Sequence, residues 1–254
     1  MSASVDERVE KVKEVFEEFA KKYVDLLNEI AEEETKLRET HYPRGCERCG
    51  KRDRCDEEQE KKCEKELIDQ LNKLDDERGI RIADLYDEVE EKLKALGFDE
   101  VEFNVASDSN CYFNLPAYPR AYNYYRIHEY NHVVDKKAKK CYVVEVAYSE
   151  LQKPWTTEYA DPQISIEEGA YFDEDVPFSN TLFDRIPWTV MRTEWIHHIE
   201  GFMKRIVEAE RAGKLLEEVK KVYSVAKAGA WVYDYAHFLE ALEETCKKFN
   251  IDLT

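Results

Sequence analysis

The sequence predicts an α+β fold, and three observations carry that expectation. An apolar seam with alternating four- and three-residue spacing runs through the first thirty residues. Two segments with strand-like alternation flank a charged turn in the middle, and long amphipathic stretches fill the last third. The expected organisation is a helical segment over residues 1–97 with a Cys-rich hairpin tip, then an α+β domain over 98–254, as two units or as one continuous domain.

The first helix begins at a capping box, Ser4-Val5-Asp6-Glu7. Val5, Val9, Val12, Phe16, Phe19, Tyr23, Leu26 and Ile30 form a heptad seam, which packs on the next helix or on a second copy of the chain. Good helix formers continue to about Glu39, and Pro43 and Gly45 end the helix. A second helix starts after Cys55 with Asp56, Glu57 and Glu58 in its first turn, and Gly79 stops it. A third runs from Ile82 to Leu96, with Gly97 as its C-terminal signal. The first two therefore make an antiparallel helical hairpin.

Beyond Phe98 the pattern changes. Val101–Val105 alternates like a strand, and 107–122 reads as irregular loop. Tyr124–Val134 and Cys141–Tyr148 read as a β-hairpin closed by Asp135-Lys-Lys-Ala-Lys-Lys140. Residues 150–187, with four prolines, hold only short strand pieces at 164–166 and 170–172. Helices are expected over about 188–212, 215–228 and 230–249.

Composition narrows the function classes. The apolar share of 43% and aromatic share of 12% supply a core, so the chain is not disordered despite 37% charged residues. A formal charge of −18 argues against an extended basic face for nucleic acid. Within it, Arg44, Arg48, Lys51, Arg52 and Arg54 make a basic island. The N-terminal residues are polar without an apolar h-region, and no run reaches the length of a membrane span. The expectation is a cytoplasmic protein with no membrane partner.

Cys46, Cys49 and Cys55 lie within the basic island, with His41 just before it. A Cys-x2-Cys pair turns both thiolates toward one ion, and a closed structural site needs four ligands. Cys63 on the second helix is the preferred fourth ligand and His41 the alternative. Zinc is the expected ion. Four thiolates also suit an iron–sulfur cluster, and a disulfide is the non-metal reading. Cys111, Cys141 and Cys246 read as core thiols.

The segment Val134-Asp135-Lys-Lys-Ala-Lys-Lys-Cys-Tyr-Val-Val-Glu145-Val-Ala147 resembles the core of PD-(D/E)xK nucleases. The resemblance implies that Asp135 and Glu145 bind Mg²⁺, although Ala147 stands where the family has Lys. The Cys46, Cys49, Cys55 spacing likewise resembles the iron–sulfur motif of some members, where the cysteines follow the nuclease core instead of preceding it. If the β-turn closes symmetrically, Glu145 faces Tyr130. Cys141, Glu145, His128 and His132 then share one sheet face, read as its wet side in preference to a pocket or interface. Glu194-x2-His197 and Asp234-x2-His237 imitate a di-iron carboxylate site. Helical phase places His197 and His237 away from the stripes Trp195, Ile199, Phe202, Ile206 and Trp231, Tyr235, Phe238, Leu242, so both motifs read as solvated faces.

The leading expectation is a non-enzymatic binding or assembly protein whose basic, metal-stapled tip contacts an acidic protein or nucleic-acid partner. The second copy sharing the heptad helix would make it a homo-oligomer. The alternative is a divergent Mg²⁺-dependent nuclease.

Overall fold

The computed structural model describes residues 7–41, 57–112, 123–153, 156–188 and 193–253. The side chains of His41, 57–64, Asp108, 110–112 and 193–194 fall outside that description. The element order is α1 (Glu7–His41), α2 (Glu57–Ala95), β1 (Glu100–Tyr112), β2 (Asn123–Asp135), β3 (Lys140–Lys153), β4 (Thr156–Glu168), α3 (Pro177–Arg185), α4 (Thr193–Arg211), α5 (Leu215–Ala228) and α6 (Tyr233–Lys248). The fold is α+β. The four strands form an antiparallel meander in the order β1-β2-β3-β4.

Helices cover both faces of this sheet. On one face the α1 seam residues Val12, Phe16, Phe19 and Tyr23 join Val133, Tyr142, Val144, Val146 and Tyr148 in one core. On the other, Ala106, Tyr130 and Val143 pack with α3 to α6. β3 is therefore buried on both sides, which is why Cys-Tyr-Val-Val-Glu-Val-Ala-Tyr reads as a nearly unbroken apolar run. The first core draws residues from both sides of position 97, where the sequence suggests a domain boundary. The seam is thus occupied within the chain. Phe16 is 0% exposed, so α1 has no open stripe there to share with a second copy.

The helical hairpin is present, but its second arm is longer than expected. α2 runs straight through Gly79, where an added Cβ would meet nothing within 4 Å. A helical glycine costs only about 1 kcal/mol. Arg81 paired to Glu29, and Ile82 and Leu85 packed against α1 residues, hold the helix together beyond it. The stop comes at Gly97, φ +88°, in a Schellman motif: Phe98 N–H donates to Leu93 O at 3.1 Å and Gly97 N–H to Lys94 O at 3.0 Å. Glu18 faces Lys92, Lys22 faces Glu88 and Glu29 faces Arg81, one uninterrupted antiparallel register.

The β2–β3 turn closes as expected, Asp135 opposite Lys140 and Tyr130 opposite Glu145. Three strands exceed expectation, β3 by running on to Lys153. β1 reaches Tyr112, and β4 occupies 156–168 despite Pro162. Pro162 is tolerated because β4 is an edge strand with a register shift opposite Ala147/Ser149, and Asp161 beside it has φ +53°. α6 begins at Tyr233, so Trp231 precedes the helix and is 84% exposed, while Tyr235, Phe238 and Leu242 form the expected buried stripe.

α3 was not legible, and its start explains why. It lacks a side-chain cap of its own, with Val176 at the N-cap. Glu210 of α4 supplies the acceptors instead, taking hydrogen bonds from Phe178 N–H (2.8 Å), Ser179 N–H (2.9 Å) and Ser179 Oγ–H (2.7 Å). Replacing Glu210 by Ala is expected to lower unfolding free energy by about 2 kcal/mol in urea titration, because three donors lose a charged acceptor. A loss below about 0.5 kcal/mol would show that α3 docks without this cap.

Candidate functional site

The sheet face toward the C-terminal helices carries an ordered set of polar groups. Alternation along β2 puts His128, Tyr130 and His132 on it. Register then sets Glu145 opposite Tyr130, Ser165 opposite Glu145, Glu167 opposite Val143 and Glu102 opposite His132. α4 lies over part of this face and adds His197 and Glu200. The expectation that Cys141, Glu145, His128 and His132 share a face is met. The expectation that this is a wet face is not: His132 and Cys141 are 5% and 3% exposed, because α3 and α4 cover that end.

Two His–Glu pairs occupy the more open part. His128 Nδ1 lies 2.6 Å from Glu145 Oε1, Ser165 Oγ–H donates to Glu145 Oε2 at 2.6 Å, and Tyr130 O–H donates to Oε1 at 3.4 Å. His128 beside it, opposed by partial burial and helped by Ser165, holds the Glu145 carboxyl down at about 2. His197 Nδ1 lies 2.6 Å from Glu167 Oε1, which raises this imidazole, and its ring meets Tyr130 edge-on at 5.8 Å. Ser165 has no base. The carboxylate, not an imidazole, accepts its proton bond, so the group is not a Ser-His-acid relay.

The covered part is built around His132. Its Nε2–H donates to Glu200 Oε1 at 3.1 Å, and its Nδ1 lies 3.6 Å from Glu102 Oε2. Burial alone would pull the ring down. The two carboxylates outweigh it and hold the imidazole up at about 9, so it is charged at neutral pH. Glu102 is correspondingly lowered by His132. Cys141 is pushed up by burial, with Glu200 and Glu102 adding to the effect, and is a neutral thiol.

The residues singled out by sequence fare differently. Cys46, Cys49 and Cys55 lie outside the described residues. So do the side chains of His41, the last residue of α1, and Cys63, seven positions into α2. Asp135 and Glu145 are not brought together. Ten residues apart in sequence, they fall on opposite faces because Asp135 pairs with Lys140, an odd step from Glu145. Asp135 packs toward α1, where it binds Arg8 at 2.8 Å and accepts Ala138 N–H at 2.7 Å, while Glu145 faces the C-terminal helices. The Asp–Glu convergence that the nuclease resemblance implies is absent for this pair.

Cys246 is 1% exposed, a core thiol as expected, and the Cys111 side chain is outside the described residues. His197 is exposed, as the solvated-face reading expected, and leans on the sheet edge through Glu167. Glu194's side chain is outside the described residues. Asp234 is 1% exposed, which the solvated-face reading did not expect, while His237 is half-buried against Tyr233. Among the described residues no three His, Cys, Asp or Glu side chains converge on a metal-sized site.

Glu200, Glu102, Ser165 and Glu167 went unnoticed in the sequence. For Glu200 a signal was there. It falls on the α4 stripe of Ile196, Ile199, Met203 and Ile206, and a carboxylate on a core stripe requires a buried partner. No family model, curated protein or solved structure matches the chain.

Proposed function

We propose that the chain is a non-enzymatic binding or assembly protein. In this reading the sheet and its helices form a body that carries the α1–α2 hairpin. The far end of the hairpin is stapled by zinc through Cys46, Cys49, Cys55 and Cys63, and presents Arg44, Arg48, Lys51, Arg52 and Arg54 to an acidic partner, nucleic acid being the first to test. His41 is the alternative fourth ligand, and an iron–sulfur cluster the alternative group.

One observation carries the reading: the hairpin continues past the body. Asn28 makes a double link to β4, its Nδ2–H donating to Tyr159 O and its Oδ1 accepting Tyr159 N–H, each at 2.8 Å. Beyond it, Ile30 and Leu37 pack with Leu74, Ile82 and Leu85 of α2, in a cluster whose described members all lie on the two helices. The register that sets 18 against 92 and 29 against 81 places His41 level with about Asp69. α2 therefore overhangs α1 by about twelve residues, roughly 18 Å at 1.5 Å per residue. Cys63 stands on that overhang, on the stretch that the connection from His41 to Glu57 has to bridge. A stem this long, leading to a segment rich in Arg and Lys, is suited to reaching a partner. Among the described residues no helix is long and apolar enough to cross a membrane.

The test is elemental analysis with an absorption spectrum, followed by anisotropy of a fluorescein-labelled single-stranded RNA. About one zinc per chain, lost in Cys46→Ser/Cys49→Ser, is the expected result, with RNA binding weakened at least tenfold by Arg44→Glu/Arg48→Glu/Arg52→Glu. A metal-free protein would remove the staple. RNA binding indifferent to the charge reversals would remove the tip as its contact.

A further inference from the structure

Between the turn end of the sheet and α3 lies a pocket of about 230 Å³, well away from the hairpin end. Its carbon surface comes from Val134, Ala170 and the aromatic pair Phe172 and Phe183, whose ring centroids are 4.5 Å apart. Its polar groups are unusual for so small a space. His132 lies in the wall with only 6% of its side chain exposed, and Glu102, 49% exposed, stands beside it at the mouth.

The hydrogen-bond inventory of His132 is incomplete on the pocket side. Nε2–H is spent on Glu200 at 3.1 Å. Nδ1–H has Glu102 Oε2 at 3.6 Å, an ion pair but too long for a hydrogen bond. Because the ring is charged at neutral pH, Nδ1 carries a proton and can only donate. Glu102, lowered by the same contact, can only accept. The gap therefore faces the pocket with a fixed donor on one side and a fixed acceptor on the other.

Those two atoms select a chemistry. A ligand carboxylate would satisfy Nδ1–H but meet the charges of Glu102 and Asp184; Glu100, also in the lining, is offset by Lys136 at 2.9 Å, so the carboxylates still outnumber the lysine. An ammonium would suit the carboxylates but face the imidazolium. An alcohol or phenol oxygen both accepts and donates, and at the apex of a triangle over a 3.6 Å base it reaches both atoms at hydrogen-bond length. We infer that this pocket binds a small uncharged alcohol or phenol, its oxygen accepting from His132 Nδ1–H, its O–H donating to Glu102 and its carbon body lying against Phe172 and Phe183. The only thiol in the lining, Cys141, is neutral and 3% exposed, so the pocket holds its ligand without covalent attack.

Benzyl alcohol is a suitable probe, with toluene and benzoate as partners that lack the hydroxyl or carry a charge. The readout is the His132 imidazole resonances of the full-length, isotope-labelled protein during titration. Benzyl alcohol is expected to shift them saturably, with a dissociation constant on the order of millimolar for so few atoms. Toluene and benzoate should bind at least fivefold more weakly. Glu102→Ala, at a half-exposed position, should leave the circular dichroism spectrum unchanged and weaken benzyl alcohol about tenfold. Toluene binding as well as benzyl alcohol, an unchanged affinity in Glu102→Ala, or no saturable shift at His132 would each overturn the assignment.

Discussion

Replacing Glu200 by Ala is expected to cost about 3–5 kcal/mol of folding free energy, the range for removing one partner of a buried ion pair. Glu200 has 5% of its side chain exposed, and its two oxygens do separate jobs. Oε1 accepts from His132, joining α4 to β2, and Oε2 accepts Ala170 N–H at 3.4 Å, joining α4 to the chain leaving β4. That second contact depends on a close approach at Gly169, where a Cβ would meet Val143 Cγ2 at 2.6 Å and Glu200 Oε2 at 3.4 Å. Without the carboxylate, a buried imidazolium is left with the half-exposed Glu102 at 3.6 Å. Glu200→Gln keeps an acceptor and should cost roughly half as much. Urea unfolding followed by circular dichroism measures both. A loss below about 1 kcal/mol in Glu200→Ala would mean that the imidazole is neutral in the folded protein.

The same cluster sets a pH dependence whose sign follows from the raised imidazole. His132 is held near 9 in the fold against an ordinary 6.5, so the folded state binds the proton more tightly than the unfolded one. Its contribution is complete below 6.5, declines as pH rises from there and is gone above about 9. At about 1.4 kcal/mol per tenfold change in proton affinity it amounts to roughly 3 kcal/mol. Thermal midpoints measured from pH 6 to 10 should fall in the wild type and fall less in Glu200→Gln. Equal slopes in the two would assign the decline to other groups.

Legibility in the sequence followed the range of the forces involved. The α1 seam was readable because a single face of one helix is buried, and its 4–3 spacing stands in the sequence whatever the helix packs on. What covers that face was not readable, since the sheet that buries it begins only at Glu100, far along the chain from the seam. The β2–β3 register was readable because a six-residue charged turn sets it locally, and with it came the shared face of His128, Glu145, His132 and Cys141. Most of β4 was hidden by Pro162 and by a polar outer face that belongs to an edge strand, and only its 164–166 stretch read as strand. The break expected at Gly79 failed because two salt-bridged, apolar-packed helices outweigh one glycine. The Asp135–Glu145 pairing failed on parity alone, since a motif spacing counts residues while a strand assigns faces. His132 was legible as a residue but not as a site, because its partners come from β1 and α4, 30 and 68 positions away.

Phe16→Ala should be as damaging as any core change, at about 3–5 kcal/mol, the range for a buried Phe that leaves a cavity. Phe16 is 0% exposed, meets Phe19 edge-on with centroids 6.1 Å apart, and shares its cluster with Leu93 of α2 and with Val144 and Val146 of β3. Three elements close around that ring, so there is little room for them to relax into the space it leaves. The consequence separates two uses of the heptad seam. If the seam mainly joined two copies of the chain, Phe16→Ala would shift the oligomeric state before it weakened the fold. Buried here within one chain, it should lower the unfolding midpoint at every protein concentration and leave the molar mass by light scattering unchanged. Helical and aromatic circular dichroism signals should also still fall together, because α1 and the sheet share one core. A concentration-dependent midpoint, or α1 melting ahead of the aromatic signal, would show that the helix is held by something other than the sheet.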